Sequence, residues 1–159
     1  MGDEEARGGS SSEELLEGLR SALEPAEILG VLERVGLSNQ DIAEGTGADE
    51  RTVRRWAGGG EPTRANEQAI GLLRVLLIHI LQRRGMERSS IPRWLRLADA
   101  QLDYATPLSA IAQGRLADAV LAADLYMAPR EIGSWRPVPA KDSGVVEQQP
   151  TDDFTPVDA

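Results

Sequence analysis

The chain has 159 residues and a net charge of −9, and 41% of its residues are hydrophobic. This length allows one domain or two very small ones. The absence of cysteine excludes disulfide bonds and thiolate metal sites. The most apolar run, residues 69–81, is shorter than the roughly 20 residues that a membrane-spanning helix needs, and the N-terminus resembles no signal peptide. We therefore expect a cytoplasmic protein that contacts no membrane.

The charge is unevenly distributed along the sequence. Residues 1–30 carry −6 from eight acids and two arginines, residues 130–159 carry −3, and residues 61–100 carry +3 from seven arginines and four acids. Charges further apart than about 8 Å are largely screened at physiological salt, so the acidic total does not exclude a nucleic-acid-binding surface. One basic cluster is expected to contact phosphates or an acidic partner, or to be simply solvated: Arg83, Arg84, Arg88, Arg93 and Arg96.

The hydrophobic pattern predicts an all-α fold without strands. A helical pattern begins at Glu13, with leucines at three- and four-residue steps up to Leu23, and after Pro25 the same period continues to Val35. We expect an acidic disordered segment at residues 1–12 and a disordered tail at residues 129–159, because both lack apolar periodicity. Later helices are expected at about 65–84, 91–97, 107–113 and 116–125.

Residues 38–60 predict two short helices joined by a tight turn. Ser38 and Asp41 match a capping box at the start of the first helix. Gly45 and Gly47 are expected to end this helix, because glycine adopts the left-handed conformation at little cost. Asp49 is expected to cap the second helix, and three consecutive glycines end it.

The second short helix has a basic face. Val53 and Trp56 are three residues apart and are expected to be buried, whereas Arg51, Arg54 and Arg55 share another face. Two short helices, a glycine turn and a basic exposed face are typical of a helix-turn-helix. Arginine can bind phosphates or hold a guanine edge with two hydrogen bonds. The alternative is a helical hairpin whose arginines are only solvated. The candidate DNA-binding residues are Asn39, Gln40, Arg51, Thr52, Arg54 and Arg55.

The sequence offers little for catalysis or metal binding. His79 is the only histidine and Lys141 the only lysine, and no phosphate-binding glycine loop or Ser-His-Asp set is recognisable. We therefore expect no enzyme activity, no metal and no cofactor. The long helix is apolar around most of its circumference, so we expect it to be central in the fold or to pair with a second copy in a dimer.

A second segment, residues 91–123, carries a combination of short motifs. They are a Trp-Leu pair, a following leucine, a Thr-Pro-Leu sequence, and a helix with the spacing Gly-x-x-x-x-x-Val-Leu. Together with the stretch LSNQDIAEGTGADERTVRRWAGG, which is similar to the helix-turn-helix of Xre-type regulators, they cover about residues 28–125. The combination resembles the Xre/MbcA/ParS antitoxin family. The residues that match are Trp94, Leu95, Leu102, Thr106, Pro107, Leu108, Gly114, Val120 and Leu121.

The resemblance implies an antitoxin of a type II toxin–antitoxin pair. Such antitoxins bind a RES-domain toxin that consumes NAD, block its active site and repress their own operon. It implies a helix-turn-helix DNA-binding domain at residues 13–64. A connecting or dimerisation helix and a toxin-binding helical domain would follow at residues 65–128. The expected partners are double-stranded operator DNA, a RES-type toxin and, as a homodimer or within a hetero-oligomer with the toxin, a second copy of the chain.

The end of the last helix is the expected partner surface, because tyrosine and methionine are favoured at protein interfaces. The alternative is that these side chains cap the core, and the cluster around Trp94 is likewise either core or interface. The candidate partner-binding residues are Trp94, Pro107, Leu108, Leu121, Leu125, Tyr126 and Met127.

Two other functions remain open from the sequence. One is a plain helix-turn-helix repressor with a helical dimerisation domain and no toxin partner. The other is a DNA-anchoring subunit of a packaging or recombination complex. A neighbouring reading frame for a compact NAD-consuming toxin would favour the antitoxin, whereas an inverted repeat in the upstream DNA without such a neighbour would favour the repressor.

Overall fold

The computed structural model describes residues 11–129, and within them the chain forms eight α-helices and one 3-10 turn, Ala100–Leu102. This range contains no strand, only one isolated antiparallel bridge between Asp99 and Ala105. The predicted all-α class is confirmed, and the two segments predicted to be disordered lie almost entirely outside the described residues. The helices are α1 (Ser12–Ser21), α2 (Pro25–Val35), α3 (Asn39–Thr46), α4 (Glu50–Ala57), α5 (Arg64–Arg83), α6 (Ser90–Leu95), α7 (Pro107–Ala112) and α8 (Leu116–Met127).

Helix α1 ends earlier than the leucine spacing predicts. Leu23 lies beyond the helix and is 82% exposed. The cause is the capping box of α2, in which the Glu27 carboxylate accepts hydrogen bonds from the backbone N–H groups of Leu23 (2.8 Å) and Glu24 (3.1 Å). These two bonds hold the pKa of Glu27 below its usual value. The chain therefore leaves the α1 conformation so that α2 can begin at Pro25.

Helix α5 lies at the centre of the fold and packs against α1, α2, α3, α7 and α8. This position explains why α5 is apolar around most of its circumference. Its one internal arginine, Arg74, satisfies backbone carbonyls near the end of α1, where helical partners are lacking. Its Nε donates to the carbonyl oxygen of Leu19 (2.6 Å) and its Nη2 to that of Arg20 (3.1 Å). The fully buried side chains of α5 are Ile70, Leu73, Leu76, Leu77 and Ile80.

Helix α3 packs closely against α7, and this contact corrects one sequence expectation. Gly45 does not end α3. It lies inside the helix, where an added Cβ would be only 3.3 Å from Cδ2 of Leu108 and 3.5 Å from Cδ2 of Leu73. The helix ends instead at Gly47, which has the left-handed φ of 80° that glycine adopts readily. Gly45 is therefore needed for its small size rather than for its backbone freedom.

The helices of both predicted domains share one core. Besides the contact between Gly45 and Leu108, the Thr106 hydroxyl at the start of α7 donates to the Glu44 carboxylate of α3 at 2.7 Å. The described helices all belong to one compact unit that ends at Ala128. The functional division at residues 64 and 65 stays a prediction. No helix in the described part is long and apolar enough to cross a membrane.

Candidate DNA-binding and partner-binding surfaces

The sequence predicts two short helices within residues 38–60, and the structure has α3 and α4 there. We call these two helices and the turn between them the two-helix unit. Ser38 and Asp41 make the predicted capping box: the Ser38 Oγ accepts from the Asp41 N–H (3.2 Å), and the Asp41 carboxylate accepts from the Ser38 N–H (2.8 Å). At the turn, Asp49 caps α4 by accepting from the Thr52 N–H (2.8 Å). This hydrogen bond, with the nearby charges of Arg51 and Arg54, lowers the pKa of Asp49. Asp49 is therefore occupied in stabilising the start of α4.

The arginines of α4 lie on its exposed side. Val53 and Trp56 are completely buried, whereas Arg51, Arg54 and Arg55 are exposed. Three arginines within five residues give this side of α4 a local positive charge, despite the acidic total of the chain. A positive surface on a helix is the electrostatic requirement for binding phosphates.

The three arginines differ in their surroundings. Arg54 forms an ion pair with Glu50, 3.7 Å away and one turn earlier on the same helix. Arg55 lies against Gly60, because a Cβ added there would be 2.8 Å from Cγ and 3.2 Å from Nη1 of Arg55. Arg51 makes no hydrogen bond or ion pair with any residue from 11 to 129. The remaining candidates are exposed Asn39 and Gln40 in the first turn of α3, and half-buried Thr52 in α4.

A residue from the predicted toxin-binding segment anchors the start of α3. The Arg96 guanidinium donates to both carboxylate oxygens of Asp41, from Nε at 2.9 Å and from Nη2 at 2.7 Å, and Nη2 also approaches the Gly36 carbonyl at 3.3 Å. Burial raises the pKa of the Asp41 carboxyl, but the hydrogen bonds from Arg96 and Ser38 and the charge of Arg96 outweigh it and leave the pKa lowered. Arg96 is therefore an internal structural contact rather than a member of a solvated basic cluster.

The predicted partner-binding residues fall into two groups. Trp94, Pro107, Leu108 and Met127 are buried within the chain, and Leu108 packs against Gly45 of α3. Their side chains belong to the core and do not form an exposed contact surface. The other three are about half exposed on α8: Leu121 (52%), Leu125 (50%) and Tyr126 (45%). Tyr126 also contacts the core, since its ring centroid lies 6.1 Å from that of Trp94.

The only histidine forms a polar link between α5 and α8. Nε2 of His79 lies 2.7 Å from Oδ1 of Asp124, and Nη1 of Arg83 donates to the same oxygen at 2.8 Å. These contacts hold α8, the helix that carries the exposed leucines, against α5. No group of histidine and acidic side chains in the described residues could hold a metal ion.

Comparison with known proteins adds one finding about the fold. No protein-family model matches the chain, and no curated protein matches it either. Among solved structures, it is similar to a chain from the crystal structure of the M. tuberculosis MbcT-MbcA toxin–antitoxin complex. The two chains share a fold. The TM-score is 0.52 with 24% sequence identity, over 64% of this chain and 89% of the other.

Proposed function

We propose that the chain is the antitoxin of a type II toxin–antitoxin pair. It neutralises a RES-type toxin that consumes NAD, and it represses its own operon through the two-helix unit, which acts as a helix-turn-helix. The observation that carries the proposal is the fold shared with a chain of the MbcT-MbcA toxin–antitoxin complex. The protein acts by binding, without catalysis or a cofactor, in the cytoplasm and as a homodimer or a hetero-oligomer with the toxin.

The exposed arginines of α4 support the DNA-binding part of the proposal. In a helix-turn-helix the second helix enters the major groove, and its N-terminal residues meet base edges while the first helix crosses the backbone. Here the second helix begins at capped Glu50 and carries three exposed arginines. Asn39 and Gln40 are exposed at the start of the first helix, where contacts to the DNA backbone are expected. Binding as a dimer doubles the number of phosphate contacts.

The exposed side chains of α8 support the partner-binding part. Leu121 and Leu125 are one turn apart, and Tyr126 follows directly, so three large side chains are left about half exposed on one short helix. Apolar and aromatic groups of this kind form the centre of protein interfaces. Their burial by a toxin would remove this apolar surface from water and so stabilise the complex.

Replacement of Leu125 by aspartate tests the partner surface. We expect Leu125→Asp to abolish co-purification with the product of the neighbouring reading frame, because it places a charge in an apolar interface. Leu125 is half exposed, so the fold should be retained, and circular dichroism checks this. Leu23→Asp is the matched control, since Leu23 is an exposed leucine outside α8. Equal co-purification of both variants would exclude this surface.

The double variant Arg51→Ala/Arg54→Ala tests the division between DNA and toxin binding. We expect it to lose binding to the DNA upstream of its operon while it still neutralises the toxin, because both side chains are exposed on α4 and neither belongs to the partner surface. Electrophoretic mobility shift and growth assays give the two readouts. DNA binding without any toxin partner would instead indicate the plain repressor.

A further inference from the structure

We propose that the arginines near the two-helix unit have different roles: Arg51 reads a guanine edge in the major groove, whereas Arg55 and Arg64 bind phosphates. This inference rests on the proposed DNA-binding function and assigns its base-reading and phosphate-binding residues. Arg64 is outside the six residues that the sequence indicates, and it adds a contact from a third helix.

Arg51 has the position and the freedom that base reading requires. It is the second residue of α4, in the N-terminal turn, and the N-terminal residues of this helix contact base edges in a helix-turn-helix. Its guanidinium makes no hydrogen bond or ion pair within residues 11–129, and its charge interacts with nearby Asp49 only at longer range, so no hydrogen bond has to break before it binds DNA. A planar guanidinium can donate two parallel hydrogen bonds to O6 and N7 of guanine.

Arg55 and Arg54 are less suited to this role. Arg55 is one turn further along α4, and its side chain turns back over Gly60, at the end of the helix away from its first turn. When the first turn of the helix is inserted into the groove, we expect a guanidinium at this other end of the helix to meet the DNA backbone. Arg54 already forms an ion pair with Glu50, and the negative charge of Glu50 lowers the local net charge around the Arg54 guanidinium.

Arg64 extends the basic surface from the start of α5. The side-chain amide of Asn66 donates to the Thr46 carbonyl oxygen at 3.1 Å, which places the first turn of α5 against the last turn of α3. That turn of α3 leads directly into the turn before α4. Arg64 is exposed as the first residue of α5, two residues before Asn66. It therefore lies beside the two-helix unit, where a phosphate next to the groove is within reach of a long side chain.

The test compares lysine and alanine variants of the full chain on a pool of DNA duplexes with a randomised centre. Arg51→Lys should weaken the preference for one guanine at least about tenfold, because lysine cannot make the paired hydrogen bonds, while its salt dependence is unchanged. Arg55→Lys is the matched control and should keep the same preference. Arg55→Ala and Arg64→Ala should each weaken binding to all sequences and lower the slope of log K against log salt by about 1.

The outcomes separate this inference from the function on which it rests. If the wild-type chain selects no sequence and binds no duplex, the DNA-binding proposal fails, and the assignment of roles fails with it. If the wild type selects a sequence that Arg51→Lys selects equally well, only the role of Arg51 is overturned. An unchanged salt slope in Arg64→Ala would remove Arg64 from the interface. Equal thermal unfolding of all variants is the check on folding, because all three residues are exposed.

Discussion

Replacing Arg96 by alanine should destabilise the fold, because it removes the contact between Arg96 and Asp41. The Asp41 side chain is only 8% exposed, and the change removes two of its hydrogen bonds while it keeps the one from the Ser38 N–H. Removing one partner of a buried ion pair costs about 3–5 kcal/mol, and a hydrogen bond to a charged group contributes about 1.5–3 kcal/mol. Because the Arg96 side chain is 47% exposed, water can partly replace it, and we expect a loss of about 2 kcal/mol.

Urea unfolding followed by circular dichroism at pH 7 measures this loss. Arg93→Ala is the matched control, since Arg93 is exposed on the same short helix and its loss should change the free energy of unfolding by less than about 0.5 kcal/mol. The contact between Arg96 and Asp41 also predicts a pH dependence. Because the pKa of Asp41 is lowered in the folded chain, its carboxylate stabilises the fold above the ordinary aspartate pKa, and this contribution is lost as the pH falls further.

The difference in stability between wild type and Arg96→Ala should therefore be complete at pH 7 and should shrink below about pH 4, the region of the ordinary aspartate pKa. The double variant Asp41→Asn/Arg96→Ala should lose less free energy of unfolding than the two single variants lose together, because it leaves no buried unpaired charge. If Arg96→Ala is as stable as Arg93→Ala at pH 7, the contact does not stabilise α3 as we argue.

Three glycines and one tryptophan give further predictions, each measured as a change in the free energy of unfolding by urea. Gly30→Ala should stabilise the chain by about 0.5–1 kcal/mol, because Gly30 is inside α2 and an added Cβ would approach no other part of the fold within 4 Å. Gly47→Ala should destabilise it by about 1 kcal/mol, since φ is 80° there, and equal effects at both glycines would contradict the reasoning. Gly45→Val should cost about 1–3 kcal/mol through the clash with Leu108. Trp56→Ala should cost about 3–5 kcal/mol, because the ring is completely buried, and a cost under 1 kcal/mol would show that the site is not core.

Local sequence signals predict the two-helix unit well. The capping box of Ser38 and Asp41, the left-handed Gly47 and the cap at Asp49 all depend on residues within a few positions of each other. The same holds for the exposure of the α4 arginines, because Val53 and Trp56 define the buried side by their spacing. Such short-range interactions are visible in the sequence itself.

Contacts between distant segments are not visible in this way. Glycine is common at helix ends, so the sequence alone suggests that Gly45 ends a helix. Only the approach of Leu108, 63 residues later in the sequence, shows that Gly45 is a packing position. Arg96 looks like one of several exposed arginines until the fold brings it to Asp41. The Thr-Pro-Leu motif predicts that Leu108 binds a partner, yet this side chain is completely buried because α7 packs on α3. The sequence offered no local signal for any of these.

Growth of cells that express the neighbouring reading frame, with and without this chain, tests the central proposal most directly. The proposal predicts that the neighbouring frame alone arrests growth and depletes NAD, and that wild-type chain restores both. It also predicts that Leu125→Asp fails to restore growth although it folds, whereas Arg51→Ala/Arg54→Ala restores it. Normal growth and unchanged NAD in cells that express the neighbouring frame alone would contradict the antitoxin function.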